Sequence, residues 1–339
     1  MNIVRRSAIW GLGLAALAAP LAACGSSTTH ASASNAAATQ GSLGSGALTK
    51  VTVGDFPTSA LTLPYVIAQD QGFFKAAGLD VQTVMANSGP TLVSGLIGGT
   101  TQIAVQVTSN AFPAMQQGEP LVAMGPYGRL DMAVVTPSNS GITTVAALQG
   151  KKIGVTARGA LTENFARYVL TLNGINPNNV TFIPVGSLVT QEAALRNHAI
   201  DASVFSSDAI AATAAQGIHL RTLASSLNGT AGQLGTVGLQ SFWATTVGYR
   251  GSHPSVVKDF CSAMSQSATW LADNANRTTG VQDIASLMNI PTSIAGEVWD
   301  SVHTAWETSV TQARWAANVK LVTGNANSVA YQKFVSTGC

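Results

Sequence analysis

From Lys50 onward the sequence alternates between short runs rich in β-branched residues and longer segments with helical spacing. The alternation starts again after Gly141 and continues to about residue 225. Strands that are separated by helices favour parallel sheets covered on both faces. The sequence therefore predicts an α/β fold with two open sheets. The strand-like runs are 51–54, 78–84, 102–105, 121–124, 152–156, 180–185, 202–205 and 220–223.

Helices are predicted between these strands and in most of the C-terminal third. A segment over 161–173 carries one apolar stripe that includes Leu161, Phe165 and Val169, as expected of a helix lying on a sheet. The segment 238–246 is predicted to be an extended return strand, so the chain would cross twice between the sheets, near 125–140 and 236–248. Further helices are predicted at 61–77, 91–97, 111–117, 145–148, 189–197, 208–216, 254–274, 281–288, 292–309 and 326–335.

The N-terminus has the layout of a secretory signal peptide. Arg5 and Arg6 precede an apolar run over 8–19, which is shorter than the ~20 apolar residues that span a bilayer. Leu21-Ala22-Ala23-Cys24 looks like a lipobox, so Cys24 is predicted to be lipidated, with palmitate-type acyl chains as a membrane anchor. An ordinary N-terminal helix is the alternative, and export by the Sec or the Tat route stays open. Residues 25–48 are small and polar and are predicted to form a flexible tether.

Charge and cysteine content narrow the class of protein. The chain is 46% hydrophobic and 9% charged, with a net charge of +2 and no basic cluster, so nucleic acid is not an expected partner. Of its 3 cysteines, Cys261 and Cys339 remain after lipidation. They are either a disulfide pair, which an oxidising compartment would permit, or two buried free thiols.

Three segments carry a resemblance to a known family. The run Ala68–Val81, which contains Gly-Phe-Phe-Lys-Ala-Ala-Gly-Leu-Asp-Val, resembles a signature of aliphatic sulfonate/nitrate/taurine-type binding proteins and their thiamine-precursor-binding relatives. Leu148–Val155 and Ala193–Leu195, the latter before Ile200–Ala202, are similar to later segments of the family. The resemblance implies a two-lobed periplasmic-binding-protein-like (type 2) fold with two crossover segments and a cleft. The expected domains are a signal peptide (1–24), a tether (25–48), lobe 1 (49–137 plus 238–339) and lobe 2 (138–237).

The resemblance also implies a function. We expect an extracytoplasmic, lipid-anchored, monomeric solute-binding protein that captures a sulfonate-, nitrate- or taurine-like small molecule and presents it to an ABC transporter permease, without a cofactor. A thiamine-pyrimidine precursor is the alternative ligand, and a lipoprotein sensor or adhesin is the alternative class. An enzyme is not expected, because the histidines show no metal-ligand spacing and the sequence has neither a Gly-x-Ser-x-Gly motif nor a phosphate-binding loop.

The candidate site lies where strands of this architecture end, in the strand-to-helix loops. Free backbone N–H groups and the positive ends of helix dipoles meet there, which suits an anionic headgroup, and Arg158 would add a charged contact. Small polar residues at these places also cap helices without any ligand. Asp208 would either receive a cationic group or cap its helix, and Trp243 and Tyr127 would either stack on a ligand or pack in the core. The predicted ligand-binding residues are Phe56, Thr58, Ser59, Ser88, Gly89, Thr108, Ser109, Asn110, Thr156, Arg158, Gly159, Ser206 and Asp208.

Overall fold

Two β-sheets organise the described part of the chain, which comprises residues 47–56, 59–86, 88–337 and 339 of this computed structural model. The predicted signal peptide with Cys24, most of the tether, and Thr58 lie outside these residues. The first sheet has 6 strands in the order β11-β4-β10-β3-β1-β2, and the second has 5 in the order β7-β6-β8-β5-β9. The predicted α/β architecture with two sheets is therefore confirmed.

Each sheet combines parallel strands with antiparallel strands. Strands β1, β2 and β3 are parallel to one another, and β10 runs antiparallel between β3 and β4. In the second sheet β6, β7 and β8 are parallel, while β5 is antiparallel to both of its neighbours. The strand bounds are β1 Thr49–Asp55, β2 Leu79–Met85, β3 Ile103–Val107, β4 Leu121–Arg129, β5 Ala133–Pro137, β6 Lys152–Val155, β7 Thr181–Pro184, β8 Ala202–Phe205, β9 Leu220–Ser225, β10 Leu239–Thr246 and β11 Trp306–Glu307.

Helices cover the sheets and form most of the C-terminal third. Short 3₁₀ turns lie at Ala60–Thr62, Val145–Leu148, Pro177–Asn179 and Asn274–Asn276. The α-helices are α1 Leu63–Asp70, α2 Phe73–Ala76, α3 Gly89–Ile97, α4 Thr108–Gln116, α5 Leu161–Leu172, α6 Leu188–Arg196, α7 Ser207–Ala215, α8 Leu234–Val237, α9 Val247–Ser252, α10 Pro254–Ala272, α11 Arg277–Met288, α12 Thr292–Val302, α13 Gln312–Thr323 and α14 Tyr331–Phe334. None of the helices in the described residues is both long and apolar enough to cross a membrane.

Several predicted helices differ from the observed ones. The helix predicted over 61–77 is divided at Gly72, whose φ of 73° belongs to the left-handed region that glycine enters at little cost. The helix predicted over 292–309 ends at Val302, because Trp306 and Glu307 pair with β4 instead. Helix α13 was not predicted. Its buried Trp315 and Val319 face the first sheet's core, but its other residues give the segment little amphipathic contrast.

Clusters of buried apolar side chains pack on each sheet, and one further cluster connects elements of both sheets. On α5, Leu161, Phe165 and Val169 are buried against the second sheet as predicted. A separate cluster connects the sheets, since Ala211 of α7 packs in the same apolar group as Trp299 of α12. Helix α12 thus packs against α7, a helix of the second sheet, near the place where the chain crosses between the sheets.

The C-terminal residues are held against the first sheet by a hydrogen bond and by a cysteine pair. Ser336 N donates to Ala123 O of β4 over 2.9 Å. The sulfur atoms of Cys339 and of Cys261 on α10 lie at bonding distance, with their Cα atoms 5.1 Å apart. This pairing is the one that the sequence left open against two free thiols.

Candidate functional site

A small cavity lies between the two sheets, next to both crossing segments. Its volume is about 30 Å³, which is enough for about two water molecules. First-sheet elements supply most of the wall, and the start of α7 supplies the second-sheet part. The cavity is therefore lined by residues from both sheets. Its lining residues are Ser59, Ala60, Leu61, Gly128, Arg129, Asp131, Ser206, Asp208, Gln240, Val302, Ala305 and Trp306.

Asp208, in the first turn of α7, joins the two sheets through hydrogen bonds. Its Oδ2 accepts from the backbone N–H of Ala60 over 2.9 Å and from Ser59 Oγ over 3.4 Å. Its Oδ1 accepts from the N–H of Ala209 over 2.8 Å and from the Ser206 hydroxyl. The residue is 7% exposed. The carboxylate thus connects the loop after β1 with the second sheet across the cavity.

Asp131 lies in the first crossing segment, between β4 and β5. Its two carboxylate oxygens share the N–H of Ser207, each at 3.1 Å, and the Ser207 hydroxyl also donates to Oδ2. The N–H of Asp131 donates to Gln240 Oε1 over 2.9 Å. Burial first and the charge of Asp208 second raise the pKa of Asp131 to about 7, against the lowering effect of the hydrogen bonds from Ser207. Asp131 therefore connects the first crossing segment with β10 and with α7.

Strands of the first sheet bring Arg129 and Trp306 to the cavity wall. Arg129, the last residue of β4, donates from Nη2 to Gly235 O over 3.0 Å. Trp306 of β11 also lines the cavity, beside Gly128 of β4. A Cβ added to Gly128 would lie only 2.6 Å from Ser241 Oγ of β10. The absence of a side chain at Gly128 therefore keeps β4 and β10 close together at this wall.

A third buried carboxylate, Asp55, ends β1 near the loop that reaches the cavity. Its Oδ1 accepts from the N–H of Phe56 over 2.7 Å. Burial raises the pKa of Asp55 to about 7, while hydrogen bonds from Phe56 N and from Thr62 lower it. The protonated carboxyl is therefore the more stable form of this group in the folded chain below neutral pH.

We expect the folded state to lose stability as the pH rises from about 4 to about 7. Asp55 has an ordinary value of 3.8, so the unfolded chain releases this proton first and unfolding becomes more favourable across that window. The full shift corresponds to about 4 kcal/mol, and relaxation around the charge reduces it, so Asp55→Asn should stabilise the fold at pH 8 by about 2 kcal/mol. Urea unfolding at several pH values measures this. Asp273→Asn, at an exposed helix start, is the control, and an equal gain in both variants would contradict the prediction.

Most other predicted site residues make local contacts away from the cavity. Thr108 is buried, and its hydroxyl donates to Leu239 O over 3.2 Å. The Ser88 hydroxyl caps α3, and Gly89 at the start of α3 leaves room for the Asn110 side chain, because an added Cβ would lie 2.1 Å from Asn110 Oδ1. The remaining members lie at the ends of β1, β3 and β6 and do not line the cavity: Phe56, Ser109, Thr156 and Gly159.

Arg158 does not line the cavity. Its side chain is 57% exposed, and its Nη1 lies 3.4 Å from Glu163 Oε1. The N–H of Gly159 donates to the same carboxylate over 2.9 Å. Of the predicted residues that the structure describes, those that it brings together at the cavity are Ser59, Ser206 and Asp208.

Aromatic residues near the crossing segments are part of the core. Trp243 is 3% exposed and Tyr127 1%. Trp243 packs against Tyr65 and Phe260, with ring centroids 5.2 and 5.6 Å away. The alternative of core packing therefore holds for both residues, and Trp306 is the aromatic side chain at the cavity.

The cavity residues that the sequence reasoning missed come from places where the local pattern is weak. Arg129 and Asp131 stand in the crossing segment, where two charges in an apolar stretch were the available signal. Gln240 lies inside a predicted strand, and Trp306 lies within a predicted helix. In the described ranges, no group of three or more His, Cys, Asp and Glu side chains is placed to hold a metal ion.

Comparisons with known proteins agree with the observed fold of two sheets. A family model described as NMT1/THI5 like matches residues 60–277. The aliphatic sulphonate-binding protein SsuA from Escherichia coli superposes with a TM-score of 0.69 at 16% identity, covering 81% of this chain and 85% of that chain. The nitrate-binding protein NrtA from Synechocystis PCC 6803 superposes with a TM-score of 0.66 at 13% identity, covering 81% and 80%.

A third solved structure has the same fold. The ligand-binding component of an ABC-type import system from Staphylococcus aureus superposes with a TM-score of 0.70 at 13% identity, covering 85% of this chain and 96% of that chain. A search of curated proteins finds no match. At these identities the superpositions show the fold, and the predicted periplasmic-binding-protein fold is confirmed.

Proposed function

The chain belongs to the NMT1/THI5-like family, and from this premise we propose that it is an extracytoplasmic solute-binding protein that presents a small molecule to an ABC importer. The observation that carries the proposal is the cavity between the sheets, which both sheets line through polar groups. The named neighbours support it, since one binds aliphatic sulphonates, one binds nitrate and one belongs to an ABC-type import system.

The two sheets would be the cores of two lobes that close on the solute. Strand membership favours boundaries near 130–132 and 226–238, where the chain passes between the sheets. The boundary predicted from the sequence, after residue 137, would instead assign β5 to the first lobe, although β5 belongs to the second sheet. Asp208, which accepts from Ala60 and Ser59 across the cleft, would stabilise the closed form, because these contacts exist only when the lobes are together.

The location and partners follow from the same proposal. Cys24 would carry the lipid anchor, residues 25–48 would hold the lobes away from the membrane, and the protein would act as a monomer without cofactor or catalytic role. A transporter permease would then recognise the closed form. A sulfonate-, nitrate- or taurine-like solute remains the leading ligand class, with a thiamine-pyrimidine precursor as the alternative.

Cleft closure can be measured as compaction. A thermal-shift screen of residues 49–339 against sulfonates, taurine, nitrate and thiamine precursors would first identify a solute, and a ligand at a hundred times its Kd stabilises by about 2.7 kcal/mol. We then expect the radius of gyration from small-angle scattering to fall on saturation. Ser59→Ala removes one contact across the cleft and should weaken binding, whereas Ser252→Ala, in an exposed helix end, should not. An unchanged radius at saturation would contradict closure.

A further inference from the structure

Within the described residues, no salt bridge joins the carboxylates of the cavity to a cationic side chain. Asp131 and Asp208 line the same cavity, yet the salt bridges within the described residues involve other acids, namely Glu163, Asp300 and Glu307. Hydroxyl and backbone N–H groups supply the hydrogen bonds that these two carboxylates receive. The cavity therefore holds two acids close together, and Arg129, which also lines it, forms no salt bridge with either acid.

This arrangement favours a positive group in the cavity. Two neighbouring, largely desolvated carboxylates repel each other, and a cation between them removes that cost. Asp131 Oδ1 shares one N–H with Oδ2 and therefore has acceptor capacity left. A small anion such as nitrate would instead add a third negative charge to the cavity.

The remaining wall residues suit the same kind of solute, which would need the two sheets to lie farther apart, because a cavity of about 30 Å³ admits only an ammonium-sized group. Trp306 offers an aromatic ring, which attracts ammonium and guanidinium-type groups. Arg129 also lines the cavity, and its Nη2 is held by Gly235 O, so its remaining N–H groups are donors for a polar or anionic end of the same molecule. The lining thus combines two acids with an arginine and an aromatic ring.

We propose that the solute carries a cationic nitrogen, an ammonium or amidinium group, which binds between Asp131 and Asp208. This inference rests on the proposed solute-binding function and specifies its ligand class. A sulfonate or carboxylate at the other end of the molecule is compatible with it, whereas a solute whose only charged group is an anion is not.

Matched pairs of solutes test the proposal by calorimetry and thermal shift. The probes are taurine against ethanesulfonate, 3-aminopropanesulfonate against propanesulfonate, and 4-aminobutyrate against butyrate, with nitrate and benzamidine added. We expect the nitrogen-bearing member to bind at least tenfold more tightly than its partner. Equal or tighter binding of ethanesulfonate, propanesulfonate, butyrate or nitrate would overturn the proposal.

Variants locate the effect at the two carboxylates. Asp131→Asn and Asp208→Asn keep the side-chain shape and should weaken binding of the amine or amidine probe at least tenfold, while Asp273→Asn at an exposed site should leave it unchanged. Circular dichroism of each variant shows that it is folded. An amine that binds the Asp131→Asn and Asp208→Asn variants as tightly as the parent protein would also overturn the proposal.

The outcome separates this inference from the proposed function. If ethanesulfonate or nitrate binds and compacts the protein, solute binding stands and the cationic assignment fails. If amine probes bind with the expected loss in both carboxylate variants but produce no compaction, the ligand class stands and closure of the lobes fails.

Discussion

Gly280→Ala is expected to lower the free energy of unfolding by about 3 kcal/mol, the upper part of the range for overpacked cores. A Cβ at this position of α11 would lie 1.9 Å from Trp299 Cζ3 and 2.5 Å from Cε3. The indole is fully buried and has Trp270 at 6.2 Å and His303 at 5.4 Å between ring centroids, so it has no free direction in which to move. Urea unfolding measures the change as a lower midpoint at constant slope.

Gly248→Ala is the matched control for that substitution. Gly248 lies in helix α9, and an added Cβ would meet no atom within 4 Å. Alanine in a helix is favoured over glycine by roughly 0.5–1 kcal/mol, so this variant should be as stable as the parent or more so. If both substitutions changed the midpoint equally, close packing of α11 on Trp299 would be contradicted.

Gly280→Ala also has a consequence for the cavity between the sheets. Helix α12, which carries Trp299, packs with α7 in one apolar cluster and also ends in Val302 at the cavity wall. Displacing α12 therefore changes both its packing against α7 and the wall of the cavity at Val302.

Local sequence patterns were sufficient to predict the repeated part of the fold. Each parallel strand of both sheets overlaps a run that the alternation marked, because buried strands and amphipathic helices carry strong local signals. The missed elements depend on distant partners. Strand β5 is antiparallel between β8 and β9, and the two-residue strand β11 exists because β4 extends to Arg129 beside it.

The candidate site was predictable in part for the same reason. Ser59, Ser206 and Asp208 were found because they follow strands of the repeating pattern, and the fold places such positions at the cleft. Asp131 and Trp306 come from a crossing segment and from the C-terminal region. These two residues reach the cavity because α12 and β11 pack beside the first crossing segment. The local sequence pattern does not predict that packing.

The charged groups at the cavity were the least predictable feature of the candidate site. Hydroxyls and N–H groups at strand ends suggested an anion, but Thr108 and Ser88 satisfy backbone groups of their own lobe. The charged groups that reach the cavity are two acids and one arginine. Sequence position shows which residue types are near strand ends, whereas the direction of each side chain follows from the folded packing.

Breaking the Cys261–Cys339 link is expected to cost about 4 kcal/mol of unfolding free energy. The two residues are 78 positions apart, and closing a loop of that length removes conformational entropy from the unfolded chain worth about 4 kcal/mol in the chain-entropy description. The link fastens the chain end to α10, beside the contact between Ser336 and Ala123 of β4. Urea unfolding of the parent protein with and without a reductant measures the loss.

Cys339→Ser separates loss of the link from other effects of reduction. The reductant should lower the unfolding midpoint of the parent protein to that of the variant and leave the variant itself unchanged, because the variant has no link to reduce. Cys261 is buried beside Met124, so its free thiol would stay inside the core and add little cost of its own. A parent midpoint that does not respond to the reductant would instead mean that the two cysteines are the pair of buried thiols that the sequence also allowed.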